Sequence, residues 1–515
     1  MAMRPLIRGC ATLLIAGLLS PSVHPTAQQP DALKAAADAI GANAIKRLHV
    51  SAIGAIYSVG QSPNPTEPWP RVTVKSYDAT INYETASMRV ELVRTQGAVP
   101  PRGGGVPFTG EQRQIQLVSG NDAWNVPAPP SAGRGGGAPA PPALAATALD
   151  PQPQPASVVE RRQQIYLTPH GFLRAAIANQ ATVKAVPAGT EVSFAISGLS
   201  TFTGILNSKN QVEHVQTWID NPVLGDMLVE ANFTDYETTG SLSFPMHTVQ
   251  KQGGHPSLEL WVSNVQSNVA VDITAPPAVR GATLPPVRVE SQKIADGVFY
   301  LTGGSHHSVA IDMGDHVVLV EAPLDEARSL AVTAKIKETI PGKPIRLVVN
   351  THHHFDHAGG LRTLVDEGAT IVTHQINQPY YVAAWAAPRT LHPDRLARSG
   401  KQATFQTFTE KEVLKGANKT VEVHRIANSP HDDGFAMVYL PLDKILIEAD
   451  AFTPGAEAPA ATAGAAAPPQ AVSPTAVNLY ENIRRLKLDV ERIAALHGPR
   501  LATMADLARA IGRAE

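Results

Sequence analysis

The sequence predicts two folded units of different class: an antiparallel β-rich (α+β) domain over residues 30–275, then an α/β domain over residues 287–515. Three observations carry this. In the first half, short runs of alternating apolar and polar residues recur, the period of half-buried strands. In the second half, short continuous apolar runs alternate with helix-like segments, as buried strands joined through helices do. Between the halves, residues 274–286 contain four prolines, and residues 276–286 read as a linker. At 515 residues the chain is too long for one ordinary domain. A formal net charge of −2 gives no basic footprint for nucleic acid.

The N-terminus reads as an export signal over residues 1–27. Arg4 and Arg8 supply positive charge, residues 11–19 form a short apolar core, and Ala27 ends a plausible cleavage site. The apolar run is too short to span a bilayer comfortably, so no membrane span is expected in the mature chain. An uncleaved anchor is the alternative. The single cysteine, Cys10, precedes the apolar core. A mature chain without cysteine suits an oxidising compartment, and the expected location is periplasmic or secreted.

In the β-rich domain, residues 31–42 are alanine-rich and helix-like, with Asp31 as a candidate cap. Residues 71–75, 87–93, 114–118, 191–196, 227–233 and 258–265 read as strands, residues 207–210 as a hairpin turn, and residues 172–179 as a helix. Residues 100–106 and 128–155 are rich in Pro, Gly and Ala and read as mobile loops. A long amphipathic sheet with helices resembles the half-barrel of bacterial lipoprotein carriers. That resemblance implies a concave face for an apolar ligand. The alternative is a domain that scaffolds or dimerises the second one.

The α/β domain holds the densest chemistry, Thr351-His352-His353-His354-Phe355-Asp356-His357-Ala358-Gly359-Gly360. The apolar run 345–350 precedes it and the helix-like segment 361–367 follows. The motif therefore sits on a strand-to-helix turn, where side chains can converge. Imidazoles and a carboxylate at this spacing suit zinc or a similar borderline metal. His353 alternates to the other side of the turn and is left out.

This motif resembles that of the metallo-β-lactamase superfamily, and later residues match its remaining positions in order. His431 lies in the turn 429–434, Asp450 ends the apolar run 444–449, and His497 follows the run 493–496. The resemblance implies an αββα sandwich. It also implies that His352, His354 and His431 hold one ion, that Asp356, His357 and His497 hold a second, and that Asp450 bridges them. Asp450 could alternatively be an ordinary cap. The family often has an aspartate where Glu321 stands, which leaves the role of Glu321 open. Two divalent ions about 3.5–4 Å apart can share one water and bring its pKa toward neutrality. The expected activity is then hydrolysis by a metal-bridged hydroxide, with Asp356 orienting it as the catalytic residue. Zinc is the expected ion, with iron or manganese as alternatives, and the partner is a small-molecule substrate.

An ester, thioester, lactone or amide bond would suit such a centre. The alternatives are β-lactam hydrolysis, or a non-enzymatic envelope carrier with a vestigial metal domain. The absence of a cysteine in the mature chain excludes the lactamase subclass that uses a cysteine ligand. His306 and His307, in a glycine-rich turn, read as solvated rather than as substrate contacts. Tyr380, Tyr381 and Trp385 read as core or as the pocket mouth, and His374 as structural. Residues 454–474, rich in Ala and Pro, are either a flap or an insertion without a role.

Overall fold

The computed structural model describes residues 29–97, 102–105, 110–127, 150–455 and 472–513. The expected signal segment with Cys10, residues 128–149 of the second loop and residues 456–471 of the third lie outside the described residues.

The first half forms one 13-stranded sheet. Arg47–Tyr57 sits inside it, paired antiparallel with Arg71–Asn82 on one side and with His255–Ser267 on the other. From Arg71–Asn82 a meander runs out through Ser87–Thr95, Gln112–Ser119 and Asp122–Val126 to the short edge Gln152–Pro153. A second meander runs from the opposite edge, Thr182–Val186, back to His255–Ser267. Burial alternates along the strands, as in Val229, Ala231 and Phe233, so one face is apolar. The helices Gln29–Ile40, Val158–Tyr166 and Pro169–Ala178 contribute to the cores on that face. Ala36, Ile40, Phe172 and Leu173 meet Phe202 and Val215 there. Thr168 caps the third helix by accepting from the Gly171 amide, and Pro169 opens it.

The expected strands and helices are all present, most of them longer than the sequence runs suggested. Two expected mobile loops need correction where they are described. Residues 102–103 are tied to the second domain, with the Gly103 amide donating to the Pro430 carbonyl at 2.8 Å. Residues 152–153 form the sheet edge against Trp124 and Asn125. Val279, inside the expected linker, is buried against Ile115 and Trp124.

The second half has two sheets facing each other. The first is an antiparallel meander of Glu290–Ala295, Val298–Thr302, Ser308–Asp312 and Val317–Val320, extended by the parallel strands Ile345–Val349, Thr370–His374 and Phe405–Phe408. The second orders Lys411–Lys415, Thr420–Arg425, Ala436–Leu440, Ile445–Glu448, Arg492–Ala495 and Ala502–Thr503. Val309, Val320 and Val349 of the first sheet share a core with Val423, Val438 and Ile447 of the second. The outer face of the first sheet is covered by Glu326–Thr339 and Leu361–Glu367. Pro474–Leu486 and Met504–Ala510 contribute Leu479 and Leu507 to the core of the second. This is the αββα arrangement that the family resemblance implies.

Besides the Gly103 bond, two contacts between the halves, among the described residues, bear on the site. The turn at residues 221–226 meets residues 388–391, where Arg389 Nη2 donates to the Pro222 and Val223 carbonyls at 2.8 and 2.9 Å. The loop 58–70, between the strands Arg47–Tyr57 and Arg71–Asn82, packs on the turn that carries the histidine motif. Among the described residues, no helix is long and apolar enough to cross a membrane.

Candidate metal centre

The strand Ile345–Val349 stops at Asn350, a buried side chain that shapes the next turn. Its Nδ2 donates to the His352 carbonyl at 2.6 Å, and Tyr381 donates to its Oδ1 at 2.6 Å. The motif then closes through a single helical turn, Phe355–Ala358. Gly359 is required there by close approach, since a Cβ would lie 1.8 Å from the Leu324 carbonyl oxygen.

This turn and the ends of strands from both sheets bring every predicted ligand together. His352, His354, His431 and Asp450 form one group, and Asp356, His357 and His497 form another with His306. Within each group the ligand atoms lie within 4.8 Å of one another. Asp450 belongs to both. Its Oδ2 is 3.0 Å from His431 Nε2 and 3.5 Å from His352 Nε2, while its Oδ1 is 2.7 Å from His497 Nε2 and 3.1 Å from His357 Nε2. Glu448 shapes the turn that presents it, accepting from the Ala451 and Phe452 amides at 3.0 Å each.

The donor set fits a pair of borderline divalent ions. His352 Nε2 and His431 Nε2 face each other at 3.1 Å, and so do His357 Nε2 and His497 Nε2. Two nitrogens on one tetrahedral ion, bound at about 2.0–2.1 Å, stand roughly 3.3 Å apart. His354 adds a bare acceptor. Its Nε2 donates to the Ser62 carbonyl at 2.9 Å, which leaves Nδ1 without a hydrogen, and that buried atom has no hydrogen-bond partner. A buried lone pair aimed at other ligand atoms is what a cation would satisfy.

Charge follows the same geometry. Burial holds His352 and His354 well below the ordinary imidazole value, so both are neutral. His357 goes the other way: burial opposes its charge, but Asp450 and Glu321 outweigh that and raise it. Burial would raise the Asp356 and Asp450 carboxyls. The neighbouring histidines overcome it and keep both below the usual carboxylate range.

Glu321 has a defined place. It is fully buried, and its Oε1 accepts from the Thr351 amide at 2.5 Å while Oε2 accepts from His357 Nδ1 at 3.0 Å. This turns His357 Nε2 toward the pocket. Glu321 stands at φ 68°, a left-handed backbone uncommon for a residue with a side chain.

The expectation of solvated His306 and His307 is corrected. His306 Nε2 lies 3.2 Å from Asp356 Oδ2, and its backbone bridges to that of His497. His307 is buried and donates through Nε2 to the Gly498 carbonyl at 2.8 Å. The only advance sign of His306 was a histidine pair in a glycine-rich turn. His353 points away from both groups of ligands, against the buried Asp432 at 2.6 Å. Tyr381 is fully buried and belongs to the core, not to a pocket mouth. His374 ends its strand and joins neither group. Gln61 had no signal in the sequence, yet its Nε2 donates to Asp356 Oδ1 at 2.7 Å.

The family model described as "Metallo-beta-lactamase superfamily" matches residues 301–497. No curated protein matches the chain. Solved structures similar to it include a metallo-beta-lactamase from Pontibacter korlensis, at 19% identity and TM-score 0.32, covering 44% of this chain and 98% of that one. One from Hirschia baltica has 19% identity and TM-score 0.33, covering 44% and 99%. The metallo-beta-lactamase FIM-1 from Pseudomonas aeruginosa, in its mono-zinc form, has 19% identity and TM-score 0.32, covering 44% and 96%.

Proposed function

We propose, from the premise that residues 301–497 are a metallo-beta-lactamase superfamily domain, that the chain is an exported dinuclear zinc hydrolase acting on an ester, thioester, lactone or amide. One observation carries the reading: Asp450 places one oxygen in each of two adjacent ligand groups. A carboxylate shared in this way suits a bridged pair of ions, and the ligand set resembles that of the superfamily's thioesterase and lactonase branches more than that of a lactamase. In this reading His352, His354 and His431 hold one ion, Asp356, His357 and His497 the other, and Asp450 both. Bound zinc would supply Lewis-acid activation of water and of the scissile carbonyl.

The chain's own groups do the rest. Glu321 fixes the tautomer of His357 through Nδ1. Gln61 and His306 hold the two oxygens of Asp356, whose side chain is 31% exposed and so stands at the open side of the pocket. Kept anionic, Asp356 can accept a hydrogen from an incoming water there. Export is inferred from residues 1–27 alone.

The test is elemental analysis of the purified chain, followed by a panel of chromogenic esters, thioesters, lactones and nitrocefin. About two ions per chain are expected, with turnover in the ester, thioester or lactone group. A chain that takes up no metal after zinc is added would overturn the reading. Turnover of nitrocefin alone would move it to β-lactams.

A further inference from the structure

We infer that the loop 58–64 of the N-terminal domain is a built part of the metal centre, with Gln61 and Ser62 as positioning residues for Asp356 and His354. The inference rests on the metal-centre reading above and gives the N-terminal domain a role beyond scaffolding.

Each motif histidine that points into the pocket has a partner on its outer nitrogen. For His352 it is Thr351 Oγ1, 2.9 Å from Nδ1, and for His357 it is Glu321. Both partners belong to the metal domain. For His354 it is the Ser62 carbonyl, 292 residues earlier in the chain. A carbonyl can only accept, so it fixes the hydrogen on Nε2 and leaves Nδ1 free to bind an ion. Outer partners of this kind set ligand orientation and basicity. The neighbouring residue acts on the other group: Gln61 Nε2 holds Asp356 Oδ1 at 2.7 Å. One short stretch of the N-terminal domain thus reaches a ligand of each proposed ion.

The loop is stitched down on both sides of the pocket. The Gly60 carbonyl accepts from the Phe355 amide at 3.2 Å, and Ser62 Oγ lies 3.0 Å from His353 Nε2. Toward the His431 turn, the Pro63 carbonyl accepts from the Asp433 amide at 2.8 Å and Asn64 Nδ2 donates to Asp433 Oδ2 at 2.9 Å. Ser62 and Asn64 are buried. Gly60 allows the approach: at φ 74° it lies flat against Phe355, and a Cβ there would meet the ring at 2.3 Å. A domain that only scaffolds needs area. This one presents a carbonyl and a carboxamide to two ligand side chains.

The test uses the full chain and measures zinc affinity by chelator competition, with the cobalt(II) absorption spectrum as a report on ligand geometry. The variants are Gln61→Ala and Gly60→Ala. Gly240→Ala is the strain control, because Gly240 has φ 61° and nothing within 4 Å of its Cβ position. Gly60→Ala should weaken zinc binding about 10–100-fold and alter the cobalt bands. Gln61→Ala should do so more mildly, with thermal unfolding of the metal-free chain unchanged. If Gly60→Ala unfolds more readily than Gly240→Ala, Gln61→Ala alone decides. Unchanged affinity and unchanged cobalt bands in Gln61→Ala and in a folded Gly60→Ala would overturn the inference. Failure of the wild-type chain to bind zinc would instead overturn the metal-centre reading on which it rests.

Discussion

Replacing Glu321 by glutamine changes shape hardly at all and removes one acceptor. The carboxylate serves two donors, the Thr351 amide at 2.5 Å and His357 Nδ1 at 3.0 Å, in a site closed to solvent. A carboxamide has one oxygen and one NH2 group. Whichever way it turns, the NH2 faces a donor, and one buried N–H is left unpaired at a cost of about 1–3 kcal/mol. His357 has a way out: its hydrogen can move to Nε2, and Nδ1 can then accept from the amide. But Nε2 faces His497 and Asp450, so this puts a hydrogen where a ligand lone pair belongs. Either response weakens the second ion. Glu321→Gln should therefore lose at least about tenfold in zinc affinity. In a urea melt the metal-free chain should lose no more than about 3 kcal/mol. Chelator competition on the variant measures the first quantity directly. Zinc affinity within twofold of wild type would refute the claim that this carboxylate sets the state of His357.

Two further outcomes are expected. Asp450→Ala should lower affinity for one ion by at least about tenfold and reduce turnover with it, with partial recovery in excess zinc; titration showing two tightly held ions would mean the carboxylate is not shared. His170, wholly buried with Nε2 donating to the Ile40 carbonyl, is pushed down to about 4 by burial. The unfolded chain takes up that proton below about pH 6.5, whereas the folded one does so only near 4, so stability is whole above pH 6.5 and is lost as pH falls toward 4. The loss attributable to His170 is about 3 kcal/mol. Comparing urea melts of wild type and His170→Gln at pH 7 and pH 4.5 isolates it, and parallel pH slopes would rule it out.

What residue pattern and spacing alone showed was local; His431, Asp450 and His497 came through the family resemblance. His352, His354, Asp356 and His357 lie within one turn, and the strand before it is a continuous apolar run, so both pattern and spacing were visible. The strand Arg47–Tyr57 was not, because its alternation breaks at Gly54, where the ladder shifts register against Arg71–Asn82. There the Cβ of any other residue would lie 1.9 Å from the Glu259 carbonyl oxygen. The helix Glu326–Thr339 escaped because its face toward the core includes Arg328, Ser329 and Thr333, so it has little apolar stripe to see. His306 is drawn into the site by its backbone bridge to His497, a pairing no local pattern announces. Gln61 and Ser62 are ordinary polar loop residues until two domains meet.

That meeting sets an order of events in folding. The bond from Gln61 to Asp356 closes a span of 295 residues, and the pairing of His357 with His497 closes one of 140. Closing long loops costs entropy before any contact repays it, so such contacts come late. A partly folded chain offers an ion only the adjacent histidines of the motif turn. The full donor set exists once both sheets have packed and the N-terminal loop has settled, so on the proposed reading tight metal uptake is expected only from the fully folded chain.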